Sequence, residues 1–149
     1  MTRASESCKD QRTEVIKHLE MIQAVITRLA QNSFMIKSWS LTLIAGVVLL
    51  LYRYFKSEDG VYLIILLLIP VFGFWRLDAF YLRQERLFRN LYDDVREKND
   101  TDFSMDTRAY EHKDRNKPLS VFFSKTLQIF YSIEITFLVF AFLAFFYLS

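Results

Sequence analysis

The sequence predicts an all-α integral membrane protein with three transmembrane helices and long cytoplasmic helical extensions that form an antiparallel stalk. Three observations carry this reading. Three windows are apolar over close to the roughly 20 residues that a helix needs to cross a bilayer. The segments beside the first two windows carry apolar stripes at helical spacing. The composition, 52% hydrophobic with only 3 Gly and 2 Pro in 149 residues, suits long helices and leaves little material for turns or sheet edges.

Residues 1–37 read as an N-terminal cytoplasmic amphipathic helix. Val15, Leu19, Ile22, Ile26, Leu29 and Ile36 recur at spacings of three and four, with a gap at Ser33. Residues 38–80 read as a transmembrane hairpin, with windows from Ser38 to Phe55 and from Val61 to Phe80 joined by the polar turn Lys56 to Gly60 (KSEDG). Pro70 and Gly73 mark a kink in its second helix. Residues 81–117 contain a second amphipathic helix followed by a polar, aperiodic loop from about Asn99. Its stripe, Leu77, Phe80, Tyr81, Leu87, Phe88, Leu91 and Val95, is flanked by Arg83, Glu85, Arg86, Arg89, Asp93 and Asp94. Residues 118–149 hold the third crossing, from about Leu127 to Leu148, with Pro118 suited to a helix start.

Orientation follows from the basic residues, which are retained on the cytoplasmic side during insertion. Six precede the first window, two (Arg53 and Lys56) flank the hairpin turn, and the remaining eleven lie between Arg76 and Lys125. The N-terminus is therefore expected inside and the C-terminus outside. Trp39 and Trp75 then fall at the inner interface, and Tyr52, Tyr54 and Tyr147 at the outer one.

Within the membrane windows, Glu134 stands out, because an intramembrane carboxylate is costly and needs a partner. A rise of about 1.5 Å per residue puts Glu134 and Arg76 at similar depths, so an interhelical Arg76–Glu134 ion pair is expected, with Asp78 and Lys125 nearer the interface. A snorkelling or protonated carboxyl is the alternative. Ser38, Thr42 and Gly46 fall every four residues along the first crossing, and Ser132 and Thr136 repeat the pattern on the third. Small residues at this spacing let another backbone approach, either from a second copy of the chain or from helices of the same chain.

The two cytoplasmic stripes have three fates: they pack on each other as a stalk, lie flat among lipid headgroups, or hold a soluble cytoplasmic protein. Leu19, Ile22, Ile26, Leu87 and Leu91 are the residues of such a partner-binding stripe.

Other motifs fall short of a site. Asp100, Asp102, Ser104, Asp106 and Glu111 match positions 1, 3, 5, 7 and 12 of a calcium loop, but Met105 stands where the turn requires Gly and Arg108 adds a positive charge. His18 lies one turn from Glu14 without a third ligand, and His112 stands in a charged loop, so both read as surface histidines. Cys8 is the single cysteine, which gives no disulfide framework. No phosphate loop, nucleophile elbow or paired-histidine motif is present, so no enzyme activity, cofactor or metal is expected. A net charge of +2 does not indicate a nucleic-acid partner.

The segments MIQAVITRLAQNSFMIKSW (Met21 to Trp39) and LDAFYLRQERLFRNLYDDVR (Leu77 to Arg96) are similar to stretches of uncharacterised small bacterial membrane proteins. The hairpin with cytoplasmic helices resembles the SLATT-like membrane effectors of antiphage systems. That resemblance implies a bacterial inner-membrane location and membrane disruption or pore formation on activation. The third crossing departs from the two-helix plan of that family, and no residue role is carried over.

Two roles follow as expectations. The first is an oligomeric membrane effector or channel-like protein whose cytoplasmic helices sense a signal. The second is a non-conducting anchor that recruits a soluble partner. An apolar stripe covered by the chain's own helices would remove the main support for the anchor.

Overall fold

A computed structural model describes the backbone of residues 2–53 and 59–148, with the side chains of 10–49, 66–144 and 147. The side chains of Cys8 and Tyr52, together with Tyr54 and most of the expected Lys56–Gly60 turn, lie outside the described residues. Helix α1 (Thr2–Arg53) and helix α2 (Asp59–Arg96) are followed by two short 3₁₀ turns, Arg108–Tyr110 and Asp114–Asn116. A single-turn helix α3 (Pro118–Phe122) then precedes α4 (Lys125–Leu148). No strand occurs among the described residues.

Helix α1 contains one glycine and no proline over its 52 residues, so no missing N–H in its interior leaves a backbone carbonyl unpaired. Helix α2 continues through Pro70, which removes one helical N–H without ending the helix. A side chain added at Gly73 or Gly46 would meet nothing within 4 Å, so neither glycine serves a close approach within the chain. Pro118 opens α3 as the first-turn position favours, and α4 begins close to the expected third crossing.

The chain divides into two compact units, residues 1–32 with 81–121 and residues 33–80 with 122–149. In the first, Val15, Ile22 and Ile26 of α1 pack with Leu87, Leu91 and Val95 of α2 in one core, with Leu19 and Phe88 against it. His18 lies beside Leu91 and Val95, and Ile26 beside Arg89 and Tyr92, so the helices run antiparallel. The two stripes cover one another, as the stalk reading expects, and the stripe formed by Leu19, Ile22, Ile26, Leu87 and Leu91 is not free to hold a soluble partner.

The segment after α2 is more ordered than its polar sequence suggests. Tyr110 joins the core and donates its hydroxyl to Asp94 Oδ2 at 2.6 Å. Burial first, and then the bond to Asp94, pushes the Tyr110 phenol up to about 12. Asn116 is buried; its Nδ2 donates to the Tyr110 carbonyl at 2.8 Å, and its own carbonyl accepts from Arg83 Nε at 2.9 Å. Between them, side chains bond backbone amides a residue or two ahead: Asp100 accepts from Thr101, Asp102 from Ser104, Ser104 from Asp106, and Asp106 from Arg108. This ladder accounts for the spacing that resembles a calcium loop, because the oxygens at the first four ligand positions already hold their own backbone. Arg108 also grips Asp106 and lowers its carboxyl to about 2. No cluster suited to a metal ion occurs among the described residues.

His18 is a correction to the surface reading, being 1% exposed. Its Nε2 lies 3.1 Å from the Ser104 carbonyl, which can only accept, so Nε2 carries the proton. Its Nδ1 lies 2.5 Å from the Thr101 hydroxyl, which donates to it in the neutral ring and in turn accepts from the Phe103 amide. Phe103 takes φ of 55°, in the left-handed region that bulky residues avoid, and its ring lies 5.5 Å from that of His18. One buried imidazole thus fixes two points of an irregular segment against α1. Replacing it (His18→Ala) is expected to cost roughly 2 kcal/mol. Amide exchange should accelerate over 100–106 while the amides of Leu87 to Leu91 keep their protection; equal acceleration in both would show that His18 is merely a core filler.

Candidate functional site

The second unit is inverted relative to a water-soluble core. Among the described side chains, the large apolar groups exposed in the first unit are Ile16, Met21, Phe103 and Leu119; the rest, Phe34 (72% exposed), Leu49 (73%) and Phe140 (70%) among them, belong to the second. Its interior holds Ser33, Ser40, Asp78, Ser124 and Glu134 beside Ile44, Leu67, Val71, Leu127, Tyr131 and Leu138. Two helices among the described residues are long and apolar enough to cross a membrane, with windows in Asp10–Leu49 and Lys125–Ala144. Only 11% and 22% of those windows are buried, whereas the core helix of a soluble protein is mostly buried. The expected second crossing lies in α2, whose side chains are described only from residue 66, and it is not among the two.

The polar interior is built by helical spacing. Ser33, Lys37, Ser40 and Ile44 follow one face of α1 at steps of four, three and four, and Leu127, Tyr131, Glu134 and Leu138 do the same on α4. Asp78 of α2 lies between these faces with its side chain fully buried. Lys37 Nζ contacts Asp78 Oδ2 at 2.5 Å and also donates to Ser33 Oγ at 2.8 Å. Ser33 Oγ donates to Asp78 Oδ1, and the Tyr131 hydroxyl reaches Oδ2 at 3.4 Å. Donors from two other helices thus satisfy one carboxylate. The partly exposed Lys37 side chain passes 6.0 Å from the centre of the Phe130 ring, within range of a cation–π attraction.

Aromatic stacking closes one side of this cluster. Trp75 is sandwiched between Phe122 and Tyr131, with centroids 4.7 and 5.3 Å away and planes within 6° of parallel. Its indole Nε1 donates to the Phe122 carbonyl at 3.1 Å, satisfying an acceptor at the end of α3. Trp75, expected as an interface anchor, joins α2 to α3 and α4 within the unit.

Glu134 occupies the next station along α4. It is 3% exposed, and its Oε2 accepts from Ser40 Oγ at 2.8 Å, while Oε1 has no partner. The expected Arg76–Glu134 pair is not formed. Arg76 is exposed, and Asp78, expected at the interface, is the buried carboxylate with a cation partner, the partly exposed Lys37. Beside Glu134 an apolar cavity of about 220 Å³ lies between α1 and α4, lined by Leu41, Ile44, Ala45, Ile133 and Phe137. Beyond this level Ile44, Leu67, Val71 and Leu138 fill the interior with hydrocarbon. Among the described residues the polar seam therefore ends at this level.

The small-residue faces stand elsewhere. Thr42, Gly46, Ser132 and Thr136 are exposed and Ser38 is half-buried, so they do not pack the helices of one chain together. Their hydroxyls bond back to their own helices: Ser38 to the Phe34 carbonyl, Thr42 to that of Ser38, and Thr136 to that of Ser132. Such bonds remove the polar cost of facing an apolar medium.

Compared with protein-family models, with curated proteins and with solved structures, the chain gives no match.

The Lys37–Asp78 link was within reach of the sequence. Counted from the expected Lys56–Gly60 turn, Lys37 and Asp78 are nearly equidistant, so an antiparallel hairpin sets them opposite one another, whereas it sets Arg76 opposite Ser40. Removing only the cation (Lys37→Met) is expected to cost about 3 kcal/mol, because Asp78 is left buried without compensation, and adding Asp78→Leu should recover most of that loss. Arg76→Gln should change stability by less than about 0.5 kcal/mol. Denaturant titration in detergent micelles reads all three, and an Arg76→Gln loss as large as that of Lys37→Met would refute the assignment.

Proposed function

We propose that the chain is a multi-pass protein of the bacterial inner membrane that self-associates into an oligomeric membrane effector or channel-like assembly. Its crossings are the windows from Ser38, Val61 and Leu127. The N-terminal and 81–117 segments are cytoplasmic, and the C-terminus is outside. The confinement of exposed large apolar side chains almost entirely to the second unit supports the bilayer, since so extensive an apolar surface calls for an apolar neighbour. The distribution of Lys and Arg supports the orientation.

Self-association rests on one observation. Thr42 and Gly46 on α1 and Ser132 and Thr136 on α4 are exposed, the Ser38, Thr42 and Thr136 hydroxyls bond back to their own helices, and open space lies beside Gly46. A flat, polar-satisfied face of this kind suits close approach by the helix of a second copy. Among the described residues, the polar seam of one copy stops at Ile44 and Leu138. Any conducting route is therefore assigned to the space between copies. The anchor reading has lost its main support, since the stripe it required is buried in the chain's own core.

In proteoliposomes, single cysteines at Thr42 and Thr136 (in a Cys8→Ser background) should crosslink between copies. Gly46→Leu, which adds bulk on the same face, should reduce crosslinking about tenfold or more without altering the melting of the monomer. Ion flux measured in the same vesicles tests the conducting role. A strictly monomeric protein would exclude the proposal, and an oligomer whose vesicles stay tight would exclude its channel-like part.

A further inference from the structure

The first unit contains a second built feature that the membrane reading does not use. Most cations of residues 81–121 are matched: Arg83 with Glu111, Arg89 with Glu85, Arg96 with Asp93, Arg108 with Asp106 and Lys117 with Asp114, all within 4.0 Å. Arg86, Lys113 and Arg115 have no carboxylate within that distance among the described residues, and all three line one cleft of about 300 Å³ between α2 and the 3₁₀ turn Asp114–Asn116. The two acids in its wall, Asp93 and Asp114, are engaged by Arg96 and Lys117, which are not part of the lining.

The arms of the cleft are held in place. Arg86 Nη1 donates to the Arg115 carbonyl at 2.8 Å, which ties a guanidinium of α2 to the turn that carries the second one. Lys113 Nζ donates to Asn90 Oδ1 at 3.0 Å and lies 5.0 Å from the centre of the Tyr110 ring. Asn90 is itself fixed through its Nδ2 to the Arg86 carbonyl. Burial first, and then the neighbouring charge of Arg115, lower the Arg86 pKa, against a smaller opposing effect of Glu85. A multiply charged oxyanion in this cleft relieves the repulsion between Arg86 and Arg115. Planar guanidinium forks match tetrahedral phosphate oxygens better than they match chloride.

We propose that this cleft binds a phosphate-bearing anion, with Arg86 and Arg115 as the forked ligands and Lys113 as the third cation. The cleft accommodates a phosphate or diphosphate with a small substituent. Its source is either a soluble phosphate ester or the headgroup of an anionic lipid. The inference does not depend on self-association or conduction.

The full-length chain in phosphatidylcholine nanodiscs is titrated with inorganic pyrophosphate and, separately, with short-chain soluble phosphatidic acid, both followed by calorimetry at fixed ionic strength. Saturable binding of at least one probe is expected. Arg86→Gln and Arg115→Gln should each weaken it roughly tenfold or more, as expected for losing one charge-assisted contact. Arg108→Gln, which removes a cation already matched by Asp106, should leave it unchanged. Binding of pyrophosphate assigns a soluble ligand, and binding of phosphatidic acid alone assigns a headgroup. Amide protection around Tyr110 serves as the folding control for each variant. Failure of both probes to bind, or equal losses from Arg108→Gln and Arg115→Gln, would overturn the proposal.

Discussion

A carboxylate with no access to solvent must be matched in place, and Asp78 meets that requirement with groups from two other helices. Lys37 supplies the charge, Ser33 takes the second oxygen, and Tyr131 reaches in from α4. Such a pair adds little to stability compared with a well-packed apolar substitute, but it penalises every other arrangement heavily. Sliding α1 against α2 by one turn would strand a charge in hydrocarbon. The buried apolar residues of this unit, Ile44, Leu67, Val71 and Leu138, carry no comparable register information, because one branched side chain exchanges for another at small cost. The polar cluster therefore sets the alignment in which the apolar groups pack, and the stacked Trp75 fixes α3 and α4 to the same frame.

Periodicity made the helices legible. The stripes of α1 and α2, the start at Pro118 and the extent of α4 follow from spacing that only a helix satisfies, and the mutual burial of the stripes follows from their shared length and polarity. What spacing along one helix does not contain is its azimuth relative to another. Arg76 and Glu134 match in depth, yet Arg76 points outward while Ser40 occupies the position opposite Glu134. Counting outward from both sides of the hairpin turn would have restored the missing coordinate and selected Lys37. The segment after α2 was missed for a different reason. Its order comes from side chains that bond the backbone a residue or two ahead and from a buried histidine contributed by a distant helix, and neither leaves a periodic trace.

The two units solve the burial problem in opposite senses. In the first, apolar stripes face inward and the charges pair on the outside, with Arg89–Glu85 and Arg108–Asp106 as examples. In the second, large apolar groups such as Phe34, Leu49 and Phe140 stand exposed, while Ser40, Asp78 and Glu134 are buried beside Ile44, Val71 and Leu138. The same two helices serve both, with α1 changing its inward face from Ile22 and Ile26 to Ser33, Lys37 and Ser40 without a break in the helix.

Glu134 differs from Asp78 in that it is buried with a single neutral donor and one oxygen unmatched. A structural carboxylate would be expected to resemble Asp78, whose partners leave nothing wanting. Glu134 instead lies beside an apolar cavity on the side where Ile133 and Phe137 are exposed, and no cation of its own chain reaches it. Exposed Thr42 and Gly46 on α1 and Ser132 and Thr136 on α4 lie on the same two helices that flank this cavity.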